Sequence, residues 1–303
     1  MAIVNSKNLS ANFIGYNLRE SEGTSGTYVS SIRDFLNRFI KNKLSVFGVV
    51  LLIVLILSAI IIPFTSKDPY EIPQNPKSHL NIFTEGNFLG TDSKGRDLWA
   101  RLWLALRYSL GIAGMATIID LFVGLVFGLM MGYFKRFDKF MMSFIKIISN
   151  IPSTLILIMV AIVLKPSFWV VVFALTITGW ISMATQIRAQ VLRIKNRDWV
   201  IASSLLGTPS YKILKSLIPT VIPIIITQLT FTIPGVIIGE ASLGFIGLSI
   251  PDEPTIGNLI NDGKTYIQIF PRFVIVPSAL IAMLIISIQF IGNGMQDALR
   301  RQR

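Results

Sequence analysis

The residues best suited to chemistry lie in a glycine-rich loop, GTDSKGRD, at residues 90–97. Six of its members could contact a ligand or set the backbone: Gly90, Thr91, Asp92, Gly95, Arg96 and Asp97. Glycines beside a lysine are typical of phosphate-binding loops, but this loop lacks the Gly-Lys-Ser/Thr ending that nucleotide binding requires. ATP binding by the glycine-rich loop is therefore excluded.

Other catalytic residue types are scarce in this chain. It has no Cys, and its one His, His79, lies in a polar stretch where we expect a solvated side chain. An HExxH zinc motif needs two His residues, and neither a GxSxG elbow nor a Walker A pattern occurs. The sequence predicts a protein that is not an enzyme and binds no metal or cofactor itself.

One carboxylate, Asp120, lies in the middle of a long apolar run. A ridge of small residues follows it at four-residue spacing, and such ridges let helices approach closely in lipid: Gly124, Gly128 and Gly132. The ridge could pack within this chain or against a second subunit. Because a carboxylate facing lipid is costly, we hypothesise that Asp120 lines a transport path or binds across a helix interface.

A third set of candidate residues lies in the segment Arg197–Pro219, between two apolar runs. Four residues share one helical face: Trp199, Ala202, Ser203 and Leu206. Ile201 and Leu205 make the opposite face apolar, and Gly207 ends the helix. Apolar residues on both faces predict a short helix with one side against its own bundle and the other against a second molecule.

The composition shows what must position these residues. The chain has 303 residues, of which 52% are hydrophobic and 15% charged, and its mean hydropathy is +0.64. A soluble domain has about 25% charged residues, so we predict an all-α polytopic membrane protein. Six apolar runs are long enough to cross a bilayer: Leu44–Phe64, Ser109–Phe134, Phe140–Leu164, Phe168–Ile187, Leu217–Gly239 and Phe273–Gly292.

Lys and Arg predict the orientation of these spans. With both termini inside, the inner segments hold about twice as many Lys and Arg as the outer ones, as the positive-inside rule requires. The predicted regions are a polar cytoplasmic tail (1–31), a first span with an external loop (32–108), and a five-helix core (109–303) containing a cytoplasmic loop (188–216). Trp99 and Trp103 predict a helix at the outer interface. Residues 240–272 predict a partly re-entrant or interfacial segment covered by protein.

Four motifs in order resemble one family over residues 32–300. They are LGTDSKGRDLWARL followed by RYSLGIA, DWVIASSLLG, EASLGFIGLSIP with GNLINDG, and the terminal GMQDAL. The set resembles the C-type permease subunit of dipeptide and oligopeptide ABC importers, a group that includes nickel permeases. DWVIASSLLG in particular resembles the coupling loop of ABC importer permeases.

The resemblance implies a multi-pass protein of a prokaryotic cell membrane and a set of partners. These are a B-type permease, two ABC ATPases that use ATP and Mg²⁺, an external substrate-binding protein, a peptide substrate and membrane lipid, with no nucleic acid. The coupling loop would dock on one ATPase through seven residues: Arg197, Asp198, Trp199, Ala202, Ser203, Leu206 and Gly207. Ile201 departs from the family pattern, which has Glu at this position.

Two other functions stay open at this point. The chain could serve an ABC importer of nickel or another small solute, because the permease alone discriminates these substrates poorly. It could also be a self-sufficient secondary transporter or channel, although such proteins usually carry several intramembrane charges or inverted repeats. Only Asp120 is clearly mid-span in the sequence.

Overall fold

The computed structural model describes residues 31–72, 82–83, 86–251 and 253–299. Within these ranges the chain is helical, and the one extended pairing is an isolated antiparallel bridge between Thr91 and Asp97. Residues 1–30 of the predicted polar tail and His79 lie outside the described residues.

Ten helices follow one another along the described chain. In order, α1 to α10, they are Ser31–Lys41, Lys43–Thr65, Leu98–Tyr133, Lys135–Ser149, Ser153–Leu164, Phe168–Ile194, Asp198–Leu205, Ser210–Phe245, Ile256–Lys264 and Arg272–Leu299. Five of them, α2, α3, α6, α8 and α10, are long and apolar enough to cross a membrane. A sixth span exists only if α4 and α5 are counted together.

The predicted third span, Phe140–Leu164, is not one continuous helix. The chain bends by 81° between α4 and α5. Pro152, which precedes α5, has no N–H to donate, and its ring disfavours a helical conformation at the residue before it. The helix therefore ends at Ser149 and a second one begins at Ser153.

The glycine ridge of α3 packs against α6 in the same chain, which is the most extensive helix contact of the described bundle. A Cβ added to Gly124 would lie 2.6 Å from the Cβ of Met183, and one added to Gly132 would lie 2.4 Å from the Cβ of Val191. Both residue numbers rise together along the contact, so the two helices run parallel. The chain must therefore return between them, and the bent pair α4–α5 provides that return.

The segment before the second span also differs from the prediction. The expected interfacial helix is the first part of α3, and Trp103 and Arg101 are buried in the bundle. Trp99 packs edge-on against Trp103 with ring centroids 5.3 Å apart. Arg101 forms an ion pair with Asp92, and the burial of Trp103 shows that this turn packs against protein.

The last predicted loop is shorter than residues 240–272. Helix α8 continues to Phe245, so Glu240 is part of a membrane helix. Helix α9 then packs against α8, α10 and α3, with Ile256 and Leu259 buried. A Cβ on Gly257 would lie 2.6 Å from the carbonyl oxygen of Ala241, so the two helices touch backbone to backbone.

Candidate functional site

The glycine-rich loop leads directly into helix α3. Asp97 is the N-cap residue, and its carboxylate accepts a hydrogen bond of 3.1 Å from the Trp99 N–H. Gly90 and Gly95 each have a φ of 78°, a left-handed conformation that side chains rarely adopt. The Thr91–Asp97 bridge closes the loop at its base. The loop thus has a clear structural role at the start of a span.

Asp92 occupies the interior of this loop. Its carboxylate accepts hydrogen bonds from the backbone N–H groups of Lys94 at 2.8 Å and Arg96 at 2.9 Å. The Arg96 guanidinium pairs with the same carboxylate at 2.7 Å. Backbone N–H groups in such a concavity can bind phosphate, but here a carboxylate already holds them.

A buried charge network joins the loop to the rest of the bundle. Arg101 is 4% exposed, lies 3.5 Å from the Asp92 carboxylate, and donates a 3.2 Å hydrogen bond to the carbonyl of Pro69. Asp262 of α9 lies within electrostatic range of Arg101. Burial raises the pKa of Asp262, and the positive charges of Arg101 and Arg96 oppose this rise. The Arg101–Asp92 ion pair therefore ties the loop to α3, and Asp262 places a carboxylate of α9 near the same two arginines.

Asp120 is fully buried at the contact between α3 and α6. Among the described residues, neither of its carboxylate oxygens has a hydrogen-bond partner. Its Oδ2 atom lies 2.1 Å from the position that a Cβ on Gly179 would take. The absence of a side chain at Gly179 therefore makes room for the carboxylate.

A cavity of about 610 Å³ lies beside this contact, between α3, α5, α6 and α8. Asp120 and Gly179 are both in its wall. The polar part of the lining includes Ser182 and Gln228, which are joined by a 2.7 Å hydrogen bond from Gln228 Nε2 to Ser182 Oγ. Phe231 lines the cavity and is 63% exposed, so the cavity opens at the surface of the chain.

A second intramembrane carboxylate, Glu240, was missed in the sequence. It is 1% exposed, and its Oε2 accepts a 2.8 Å hydrogen bond from the hydroxyl of Ser109. That hydroxyl accepts a 3.2 Å hydrogen bond from the N–H of Ile256, so the three residues join α8, α3 and α9. The signal was present, because Glu240 directly follows the apolar run that ends at Gly239.

The predicted coupling residues lie in α7 or at its two ends: Arg197, Asp198, Trp199, Ala202, Ser203, Leu206 and Gly207. Leu205 and Leu206 are 82% and 86% exposed, and Trp199 is 41% exposed. Gly207 has a φ of 76°, as expected of a residue that ends a helix.

Helix α7 contacts its own bundle through a residue outside the two predicted faces. Val200, which belongs to neither predicted face, is the buried residue of the helix. It joins an apolar cluster with Val191 of α6 and with Ile213 and Leu217 of α8. Both predicted faces are apolar in the sequence, and the position of α7 between α6 and α8 decides which side is covered.

The acidic side chains form no metal site in the part of the chain that is described. No three His, Cys, Asp or Glu residues come together in ranges 31–72, 82–83, 86–251 and 253–299. The candidate sites are therefore a cavity with one carboxylate and a helix with an exposed apolar surface.

Two family models match the chain. Residues 124–303 match the binding-protein-dependent transport system inner membrane component, and residues 30–82 match the N-terminal membrane domain of oligopeptide transport permease C. The first match covers α6, α7 and most of the cavity wall, and the second covers α2.

Curated proteins are similar over nearly the whole length. The chain is 34% identical to the dipeptide transport system permease protein DppC of Bacillus subtilis, over 93% of this chain and 89% of the relative. It is 32% identical to the oligopeptide transport system permease protein OppC of the same organism, over 93% of both chains. It is also 32% identical to the permease protein AmiD of Streptococcus pneumoniae, over 88% of both. The chain therefore belongs to the family of binding-protein-dependent transport system inner membrane components, among its permease C members, and is a multi-pass protein of the plasma membrane.

Proposed function

We propose that this chain is the C-type permease subunit of an ABC importer for dipeptides or oligopeptides. It would form half of the translocation pathway with a B-type permease and receive its substrate from an external binding protein. The observation that carries the proposal is the similarity to peptide permeases over 93% of the chain.

Helix α7 is the proposed contact with an ATPase subunit. Leu205 and Leu206 are mostly exposed on a short helix beside the ends of two spans, which suits insertion into a groove of a partner. ATP and Mg²⁺ would be used by the two ATPases and not by this chain. Ile201, at 45% exposure, would add apolar contact where the family has a charge.

Movement of α7 can reach the cavity through packed side chains. Val200 lies in one apolar cluster with residues of α6 and α8, and both of these helices line the cavity. When the ATPases close, α7 would be displaced and would carry the inner ends of α6 and α8 with it. The coupling requires that the ATP-bound ATPases favour one arrangement of these helices by free energy, not merely by contact.

The other solutes fit the cavity less well. Nickel prefers imidazole, thiolate or several carboxylates, whereas the cavity wall offers one carboxylate and no His or Cys. A self-sufficient transporter would need no ATPase, and this alternative is separated from the proposal by reconstitution.

The test is uptake by proteoliposomes that contain this chain with its B-type partner and both ATPases, supplied with the binding protein. We expect uptake of a labelled tripeptide that requires ATP and every subunit. Uptake by this chain alone would contradict the proposal, and so would ATP-dependent uptake of Ni²⁺ with no uptake of peptide. Copurification of the ATPases with a tag on this chain is an independent check.

A further inference from the structure

The wall of the cavity has a distinct charge pattern. Asp120 is its one ionisable residue, and the other lining residues are Ser, Thr, Gln, Gly and apolar types. A single negative group without a positive group nearby favours a cationic ligand over an anionic one. The volume, about 610 Å³, lies in the range of about 300–1,000 Å³ that small-molecule sites occupy.

Asp120 differs from two other acidic residues of the helix bundle, Asp138 and Glu240. Asp138 pairs with Arg188, and Glu240 accepts a hydrogen bond from Ser109. Both oxygens of Asp120, in contrast, lack a hydrogen-bond partner among the described residues, although the side chain is fully buried. Burying a carboxylate without a partner is unfavourable, so this group gains the most from a ligand that donates hydrogen bonds and carries positive charge.

The position of Asp120 depends on Gly179. Any side chain at residue 179 would overlap the carboxylate, because a Cβ there would lie 2.1 Å from Oδ2 and 2.7 Å from Cγ. Gly179 also lines the cavity, one turn of α6 before Ser182. With no side chain at residue 179, no side chain from this position of α6 separates the carboxylate from the cavity, whose wall includes Asp120.

We propose that Asp120 binds the α-ammonium group of the peptide as it passes through the cavity. This inference rests on the proposed function and names the residue that recognises one end of the substrate. The ammonium group has three N–H donors. The Asp120 carboxylate would accept from it, with the hydroxyls of Thr178 and Ser182 on the adjacent wall as further acceptors.

The test compares two probes in the complete reconstituted complex, trialanine and N-acetyl-trialanine, in wild type and Asp120→Asn. The same binding protein serves both complexes, so its own preference cancels when the ratio of the two uptake rates is compared between them. We expect Asp120→Asn to lower the uptake of trialanine about tenfold or more, as loss of a charged hydrogen bond predicts. Uptake of N-acetyl-trialanine should change less than about twofold.

A second variant, Gly179→Ala, keeps the carboxylate but displaces it. We expect the same selective loss for trialanine. The matched control is Gly114→Ala in α3, because Gly114 is not in the cavity wall and a Cβ there would have no atom within 4 Å. This control should leave both rates unchanged. Assembly of each complex is verified by size-exclusion chromatography. If one of the two variants, Asp120→Asn or Gly179→Ala, fails to assemble, the comparison rests on the other.

Three outcomes would overturn the inference, and they are distinguishable. If wild type transports no peptide, the proposed function fails and the inference fails with it. If wild type transports peptide and Asp120→Asn slows both probes equally, Asp120 is a structural residue. If neither rate changes in either variant, the ammonium group is bound elsewhere.

Discussion

The two short helices at opposite ends of the bundle, α7 and α9, have opposite surroundings. Helix α9 is capped by the hydroxyl of Thr255, which accepts from the Asn258 N–H, and it buries Ile256 and Leu259. Helix α7 has no side-chain cap and buries only Val200. The two helices have nearly the same length, eight and nine residues. This chain covers much of α9 but leaves most of α7 exposed. The helix that this chain leaves mostly uncovered is the one proposed to bind a partner.

The largest expected effect is at α9. Gly257→Ala would place a Cβ 2.6 Å from the carbonyl oxygen and 2.9 Å from the Cα of Ala241, and backbone atoms in packed helices cannot yield easily. We expect a loss of about 1–3 kcal/mol in the free energy of unfolding, typical of overpacking. Thermal unfolding in detergent measures this, with Gly235→Ala as the control that should unfold like wild type. An unchanged unfolding temperature would show that α9 is not a fixed part of the bundle.

A smaller effect on stability but a large one on transport is expected at α7. Leu206→Asp puts a charge on a side chain that is 86% exposed, so the isolated chain should unfold as wild type does. Uptake by the reconstituted complex should fall about tenfold or more, because a charge would be buried in the proposed ATPase groove. Asn196→Asp, an exposed position just before the helix, controls for the added charge. Normal uptake in Leu206→Asp would remove α7 from the coupling path.

The third prediction concerns how stability depends on pH through Asp97, the N-cap residue of α3. Burial raises the pKa of Asp97, against the opposing effects of the Trp99 and Ala100 N–H groups and of Lys67. The folded protein therefore holds this proton more tightly than the unfolded chain, whose Asp pKa is about 3.9. The stabilisation from Asp97 is therefore present below the pKa of the unfolded chain. It declines as the pH rises through the higher pKa of Asp97 in the folded protein.

The matching variant is Asp97→Asn, which keeps an N-cap acceptor but cannot titrate. Unfolding temperatures measured across this pH window should decline less steeply in Asp97→Asn than in wild type. Equal slopes would show that Asp97 does not contribute to the pH dependence.

The smallest effect is expected at Ile201, the position where the family pattern has Glu. If α7 docks mainly through apolar contact, Ile201→Glu should change uptake and copurification of the ATPases by less than about twofold, as for exposed ion pairs. Quantitative copurification measures this directly. A strong gain in ATPase binding would show that docking depends on the charge pair and not on apolar fit.

The sequence predicts the spans well because long apolar runs have few alternatives to crossing the membrane. Helices α2, α3, α6, α8 and α10 cover the predicted runs except for Phe134, and each extends beyond its run. The break at Pro152 was not predicted, since prolines within other spans do not break them, as Pro63 in α2 shows. Whether a proline ends a membrane helix depends on neighbours that satisfy the freed carbonyl. For Pro63 this neighbour is Arg107, which donates to the carbonyl of Ala59.

The candidate site could be predicted only in part. The cost of an isolated carboxylate in a span singles out Asp120 from the sequence alone. Gly179 and the cavity could not be predicted, because they depend on the register between α3 and α6, which is a tertiary property. Val200 was missed for the same reason. Glu240 was missed because the predicted span ended one residue too early.

The parallel contact between α3 and α6 limits how this subunit can change shape. Gly124 and Gly132 meet Met183 and Val191 at equal separations in sequence, with clearances so small that sliding by less than a full turn would force side chains into backbone. One turn is about 5.4 Å, a step that would also carry Asp120 away from Gly179. We therefore expect α3 and α6 to rotate as one rigid body during transport, while α8 and the bent pair α4–α5 move around them. Labels on α3 and α6 should keep a constant distance throughout the ATP cycle.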